Sequence, residues 1–450
     1  LPSYWFYSIN AGWQNNQLLK VILMKLHVSL ATNLSWQQQA NWQAPSSPFM
    51  SLKFWQTLMT TEAIGESSGW LPVFVLIHKT TADDSQSALI AVMPVFIKNH
   101  HRGEFVFDYY WAQAFAQVGV DYYPRLVTAV PFSPITGERI WLAAGVELST
   151  QIVSMAMTGV DSIASQVGAS SWHGLFVTEP CCQLAKQTVY QEKLSSNFDD
   201  RDLNVNSTIL ERQGCRFLWQ NCYLAKNKQK FDHFDEFLAT LTAKRRKTIK
   251  AERRKVAAQG IRCQRKVGTE LNEDDWRAFY HCYVMTYTVR GQSPYLTFEF
   301  FEELAQTMPE QLMMTQALDD SGAIIASSLF FFDSNANNQS LRSLYGRYWG
   351  ALGEFDSLHF ELCYYQGIEF AIELGLDYFD PGTQGEHKLI RGFVPTATHS
   401  LHRIFDSRFV KAIDAFCAAE RQQMQEYRQE AFAALPFNQD NLPPKPDDFI

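Results

Sequence analysis

The decisive stretch runs through AIIASSLFFFD (Ala323–Asp333), SLRSLYGRY (Ser340–Tyr348), SLHFELCYYQGIEFAIEL (Ser357–Leu374) and YFD (Tyr378–Asp380). The first two runs, with Met313–Ala317 ahead of them, are rich in β-branched and aromatic residues and read as strands. The third has apolar residues at helical spacing and reads as a helix between strands. Gly346, Gly350 and Gly353 read as a Gly-rich loop leading into that helix. Upstream, Asp274–Arg290 and Thr297–Thr307 read as helices, and Phe231–Ala258 as one helix stopped by Gly260. Earlier in the chain the order recurs. A helix at Phe49–Thr61 is followed by strands Pro72–His78, Ala88–Lys98, Glu104–Tyr109 and Leu126–Val130. The Pro/Gly loop Pro131–Gly137, helix Val146–Val167 and strand Ser171–Val177 come next, and strand Cys215–Asn221 closes the unit.

The expectation is therefore an α/β (α+β) chain that repeats one plan twice, each copy a mixed, mostly antiparallel sheet flanked by helices. The expected bounds are residues 24–225 and 226–435. Residues 1–23 read as a disordered or mis-assigned extension, and polar Gln191–Ser207 as a surface connection. After helix Arg408–Ala433, the Pro-rich residues 436–450 read as a disordered tail.

Composition agrees with two folded units. Of 450 residues, 46% are hydrophobic and 14% aromatic, which excludes a disordered or fibrous chain. The net charge of −8 gives no global attraction to nucleic acid or anionic lipid, so any such contact needs a local patch. The eight cysteines form no CxxC pair and no zinc spacing, as expected of reduced thiols in a cytoplasmic protein. No apolar run reaches the length of a membrane span, which leaves only peripheral membrane contact. In that compartment the sequons at Asn33, Asn206 and Asn338 carry no glycan.

Several constellations stand out. Gly65-Glu-Ser-Ser-Gly69 matches a nucleophile elbow, but a helix precedes it and a strand follows, the reverse of what that turn needs. His399-x-x-His402 on a helical face would offer two metal ligands without a third, so no metal is expected. The run 244–255 holds eight basic residues and one acid. On a helix, Arg246, Lys250 and Arg253 share a sector away from the apolar stripe, which suits a phosphate-bearing partner. Glu386-His387-Lys388 followed by Arg391-Gly392 is a charged loop cluster of the kind that carries sites. Arg347 lies at a strand end beside it. Glu104 and Asp108, four apart on an expected strand, face one side, with Tyr123 and Arg125 near in sequence; they would line a cleft.

Together these strings resemble the FemAB-related N-acyltransferases, a bacterial peptidoglycan biosynthesis or recognition family of the GNAT superfamily. The carrying segments are Pro94–Ala114, Asp121–Leu126, Pro131–Arg139, Phe231–Val256, Gly346–Gly350, His359–Gln366 and Gly385–Phe393. The resemblance implies two tandem GNAT-like domains, the first on the acceptor side and the second catalytic. It implies a donor that is either acyl-CoA or aminoacyl-tRNA. The usual acyl-CoA loop has Gln or Arg, two residues, Gly, one residue, then Gly or Ala. Arg347-Tyr-Trp-Gly350-Ala-Leu-Gly353 has one residue too many. Lys388 ahead of Gly392-Phe393 is similar to the Lys and Gly-Phe of Fem-type transferases, which draw on aminoacyl-tRNA.

The expected activity is transfer of an acyl or aminoacyl group to an amine, with a peptidoglycan precursor as candidate acceptor. Lys388 is the candidate to neutralise an oxyanion or phosphate, Glu386 or His387 the base, and Tyr345 the acid for the leaving group. Arg347, Gly350, Gly353 and Arg391 would hold the donor, and Arg246, Lys250 and Arg253 its phosphates or tRNA. Glu104, Asp108, Tyr123, Arg125, His359 and Glu361 would bind the acceptor. The alternative is a non-catalytic module that recognises a cell-wall precursor or tRNA. The sequence leaves the oligomeric state open.

Overall fold

The computed structural model describes residues 19–23, 26–80, 87–195, 208–225, 229–334, 341–382 and 385–445. The chain begins with strands β1 (Leu19–Leu23) and β2 (Leu26–Ala31), helix α1 (Leu52–Thr60), and strands β3 (Leu71–Thr80) and β4 (Ser87–Lys98). It continues through α2 (Tyr109–Gln117), β5 (Arg125–Thr128), β6 (Trp141–Leu142), α3 (Thr150–Val167), β7 (Ser171–Val177) and α4 (Glu179–Ser195). Next come β8 (Leu210–Gln220), α5 (Phe234–Thr240), α6 (Ala243–Ala258), β9 (Arg262–Val267), α7 (Glu273–Thr288) and α8 (Phe298–Thr307). Strands β10 (Leu312–Leu318), β11 (Ile324–Phe332) and β12 (Ser343–Ala351) lead to α9 (Leu358–Phe360), a π-helical turn (Glu361–Tyr365) and α10 (Gln366–Glu373). Strands β13 (Tyr378–Asp380) and β14 (Val394–Ile404) and helix α11 (Ser407–Ala433) complete it.

Two compact units result. Unit 1 comprises Leu1–Pro45, Ile64–Gln213 and Thr398–Glu420. Its sheet runs β1-β2-β3-β4-β5-β7-β14, antiparallel except for the β5–β7 pair. The middle of β3, Pro72–Ile77, is buried on both faces, as apolar runs without alternation require. Helix α3 covers one face. Ser149 caps it by accepting from the Ile152 amide, and Gly168, at φ 65°, ends it. A Cβ at Gly159 would lie 2.3 Å from a Val75 methyl, so only glycine lets this helix approach β3 so closely.

Unit 2 comprises Ser46–Ala63, Gly214–Ala397 and Arg421–Ile450. Its sheet runs β8-β13-β12-β11-β10-β9, antiparallel except for β12–β13. That parallel pair is short. Ser343–Tyr345 pair with Tyr378–Asp380, while β12 continues beside β11 as far as Ala351. Past Tyr345, one edge of β12 is released from β13, and this parting positions the candidate site.

Each sheet is completed by a strand from the other half of the sequence. β14 pairs β7 in unit 1, and β8 pairs β13 in unit 2. The bounds 24–225 and 226–435 therefore do not describe the compact units: residues 46–63 join unit 2 and residues 398–420 join unit 1.

Other expectations also change. Leu19–Leu23 pair with β2, so the expected extension contains a strand; residues 1–18 lie outside the described residues. The segment expected to be a disordered tail is fixed as far as residue 445. The Thr242 amide donates to Pro436 O, Phe437 bridges Leu241, and Phe437 is buried. Residues 196–207 of the expected connection, with Asn206 and Asn338, lie outside the described residues; the segment before them belongs to α4. Glu104–Asp108 is irregular backbone leading into α2, not a strand. Gly346 and Gly350 sit within β12, not in a loop. A Cβ at Gly350 would fall 1.8 Å from the Cys282 carbonyl of α7, so this glycine serves helix–strand packing. His399 and His402 lie on a strand, three apart, and so point to opposite faces.

Because each sheet borrows a strand, residues 1–225 and 226–450 expressed separately should not melt cooperatively. Co-expression should restore a cooperative transition. Circular dichroism melts check this, and a sharp transition in either half alone would contradict the pairing.

Candidate active site

In unit 2 the carboxylate of Asp380, at the end of β13, is buried and collects three partners. Arg216 of β8 donates to Oδ2 at 3.1 Å, Arg347 of β12 lies 3.3 Å from the same oxygen, and the Gly382 amide donates to Oδ1 at 2.9 Å. Burial would raise the Asp380 carboxyl; the two guanidinium groups outweigh it and hold the group below the usual carboxylate range. Lys388, 2% exposed, donates to Gly382 O at 2.5 Å from a short 3₁₀ turn, Glu386–Arg391. Burial pulls its ammonium down to about 8, Asp380 opposes that and Arg347 adds to it.

The cluster thus gathers three cationic side chains around one carboxylate. Arg216 Nε and Arg347 Nε are buried and make no hydrogen bond among the described residues, while Arg347 Nη2 faces Asp380 Oδ2 at 3.3 Å. Buried N–H groups without acceptors are costly, and an anionic or carbonyl oxygen would satisfy them. Sequence reasoning misses both Asp380 and Arg216. The available signal is an acid ending an apolar strand just ahead of Pro381-Gly382.

The remaining second-unit candidates divide. His387 is half-buried, with Nε2 2.7 Å from the Tyr364 hydroxyl. Burial, then Arg391 and Lys388, lower its pKa, which favours the neutral imidazole a base requires. Glu386 is exposed and accepts from Tyr427, pointing away from that role. Tyr345 packs edge-on to Phe49, and burial pushes its phenol well up, making it a poorer acid than expected. His359 sits among the rings of Trp349, Tyr364 and His387, and burial lowers it to about 4. Gly353 lies past the end of β12, in an exposed bend.

Arg391 is committed internally. Its donors go to Tyr365 Oη (2.8 Å), His387 O (2.7 Å) and Glu252 Oε1 (2.6 Å), and its guanidinium stacks 3.5 Å over Phe360. Tyr365 also donates to Glu252. Arg253 binds Glu361 at 2.9 and 3.0 Å and Glu369 at 2.6 Å. Burial opposes its charge, but the two carboxylates outweigh that and raise its pKa. Glu361 is buried against Arg253 and Gln366, leaving it no acceptor-binding role. The groove beside Lys250 and Arg253 is lined by Asp232, Asp235, Glu369 and Glu373, a poor environment for phosphate. Arg246 is half-buried and donates to Leu241 O. Lys250 and Lys255 are exposed but paired with Asp235 and Asp356, and the other exposed cations of α6 are Lys244, Lys247 and Arg254.

In unit 1, Glu104, Asp108 and Arg125 do meet, but inside. Arg125 donates to Glu104 at 2.5 Å and to Asp108, and all three are at most 5% exposed. Lys98 lies 3.6 Å from Glu104 and 3.5 Å over the Trp70 ring; burial lowers it to about 7. Tyr122 extends the network from Asp108 to His173, whose Nδ1 meets His402 Nδ1 at 2.7 Å. This sealed core replaces the expected cleft, and Tyr123 is only half-buried at its margin.

The sequence profile of a family described as peptidoglycan biosynthesis/recognition, FemAB-like, matches residues 28–439. The chain belongs to the FemAB-like family. By that membership this FemAB-like protein is an acyltransferase. No curated protein matches its sequence. L-PGS from Bacillus licheniformis is 9% identical, covering 83% of this chain and 98% of that one, at a TM-score of 0.44. The C-terminal domain of a putative lysylphosphatidylglycerol synthetase from Agrobacterium fabrum is 7% identical over 82% and 96%, at 0.43. N-myristoyltransferase from Saccharomyces cerevisiae with bound myristoyl-CoA is 11% identical over 87% and 81%, at 0.41. No described helix of the FemAB-like protein is long and apolar enough to cross a membrane.

The Arg391–Glu252 pair predicts a stability effect. Arg391→Ala leaves Glu252 without its buried cation and should cost about 3–5 kcal/mol. Adding Glu252→Gln should return part of the loss, as read by urea denaturation.

Proposed function

We propose that unit 2 transfers an aminoacyl group from an ester donor to an amine, with the Asp380–Arg347–Lys388 cluster as the electrostatic centre. One observation carries this: buried guanidinium N–H groups without acceptors among the described residues lie beside Lys388 where β12 parts from β13. An extended acyl group laid along the released edge of β12 would bring its carbonyl oxygen to these donors. The acceptor amine attacks the carbonyl carbon, and Lys388 and Arg347 hold the developing oxyanion. His387 takes the proton the amine loses, directly or through water. The ester C–O bond then breaks, and the leaving oxygen recovers a proton from the imidazolium. Charges and protons balance without a covalent enzyme intermediate. Asp380 is a positioning residue that orients Arg347 and Arg216.

The loop after β12 favours an ester donor over acyl-CoA. It carries Glu354 and Asp356 just ahead of α9, and Asp356 is paired with Lys255 at 2.9 Å. Two carboxylates just ahead of the helix N-terminus that a diphosphate would need make that place less favourable for an anion. An aminoacyl-tRNA puts no diphosphate there. Its phosphates would run along Lys244, Lys247 and Arg254. A peptidoglycan-precursor amine is the acceptor that family membership favours.

Lys388→Ala should lower turnover by about 10²–10³-fold, the usual effect of removing one oxyanion donor. Full turnover in that variant would end the assignment. An absence of turnover by the wild-type chain with every aminoacyl-tRNA and muropeptide tested would favour a binding module instead. The Lys388 ammonium is lost as pH rises through about 8, so the rate should fall on that alkaline limb. Lys388→Arg should move the limb to higher pH.

Charge reversal at Lys244, Lys247 and Arg254 should weaken tRNA binding. The salt slope should flatten by roughly one for each phosphate no longer neutralised, as measured by filter binding.

A further inference from the structure

A second cluster, unrelated to the transfer chemistry, lies in unit 1. Cys182 of α4, Glu211 of β8 and His399 of β14 converge so that one ligand atom from each lies within 4.8 Å of the others. All three are buried, Cys182 to 1% exposure. His399 Nδ1 is 2.8 Å from Glu211 Oε1, and its Nε2 is 3.9 Å from Glu179 Oε2. The half-exposed Lys186 reaches Glu211 Oε2 at 2.6 Å.

We propose that Cys182, Glu211 and His399 form a site for a single zinc-class divalent ion, with water in the fourth position. The donor set decides the class. A thiol, an imidazole and a carboxylate suit Zn²⁺, and Mg²⁺ or Ca²⁺ would want oxygen alone. A buried thiol contributes little to an ion-pair network, because S–H is a weak donor. It contributes a strong bond once it binds metal as thiolate.

Geometry sets what must move. Tetrahedral zinc with bonds of about 2.0–2.3 Å holds its ligand atoms about 3.3–3.8 Å apart. The His399–Glu211 contact must open by roughly half an ångström. Lys186 holds the place of the cation in the metal-free protein and must swing into solvent, where its long side chain already partly lies. On binding, Cys182 S–H releases its proton to solvent while Lys186 keeps its own. Because the thiol must lose its proton to bind, metal uptake should strengthen as pH rises. The exposed Glu179 faces the other ring nitrogen, Nε2, at 3.9 Å and would orient the imidazole from outside the site. The ion would tie α4 and β8 to β14, the strand that arrives last in the sequence.

The test uses the full-length chain stripped with EDTA and titrated with CoCl₂. One equivalent should give a thiolate-to-cobalt charge-transfer band in the near ultraviolet and tetrahedral d–d bands. ZnCl₂ should displace both and raise the melting midpoint. Cys182→Ser should remove the charge-transfer band, and His399→Gln should weaken binding about tenfold or more. Lys186→Met, which removes only the competing cation, should tighten cobalt binding several-fold. Absence of a band would overturn the site. A band that survives in Cys182→Ser, or affinity that is unchanged in Lys186→Met, would do the same.

Discussion

The carboxylate of Asp380 is the point on which unit 2 turns. β13 is only three residues long and has little ladder of its own. Its last side chain gathers Arg216 from β8, Arg347 from β12 and the Gly382 amide, and Gly382 in turn accepts from Lys388. Burying such charges has a large desolvation cost, so the arrangement is weak as a source of stability. Its value is positional. It fixes cations, and N–H groups that find no acceptor among the described residues, at the place where two parallel strands separate. Because Asp380 is held below its ordinary pKa, its contribution is present above pH 3.8 and fades as acid protonates it.

The basic helix α6 shows how one run of charge divides its work. Glu252 and Arg253 face inward, one to Tyr365 and Arg391, the other to Glu361 and Glu369. These half-buried, multiply bonded pairs are worth more than exposed ones, whose median value is about 0–1 kcal/mol. They lock the helix to the π-helical turn and to the turn that carries Lys388. Lys244, Lys247 and Arg254 remain on the outward face. The density of positive charge in the sequence is thus partly structural, and only its outward stripe is available to a partner.

Where the pattern is apolar, the sequence was legible. β3, β4, α3, α7 and α8 announce themselves by run length and spacing. Lys388 and Arg347 were also legible as members of a cluster, because isolated charges beside aromatic strands ask for a reason. Polar burial was harder to foresee. β14, with Ser400, His402 and Arg403 all buried, lacks the apolar alternation that marks a strand. Glu104–Asp108 alternates like a strand, yet Gly103 and Phe105, both at positive φ, break the extension and turn the acids onto Arg125. Gly350 mimicked a phosphate loop because a close helix approach and an anion cradle both demand a residue without a side chain. Partners such as Arg216 and Asp380 are 164 residues apart, a juxtaposition that no local pattern encodes.

The exchange of strands between halves has a consequence for biosynthesis. β7 leaves the ribosome long before β14, and the His173–His402 contact that joins them spans 229 residues. At about 5–20 residues per second, that interval lasts on the order of 10–45 s. Throughout it, the edge of β7 is without its native partner, in the state most prone to pair with another nascent chain. Vectorial synthesis alone cannot finish unit 1, because β7 waits for a strand made more than two hundred residues later.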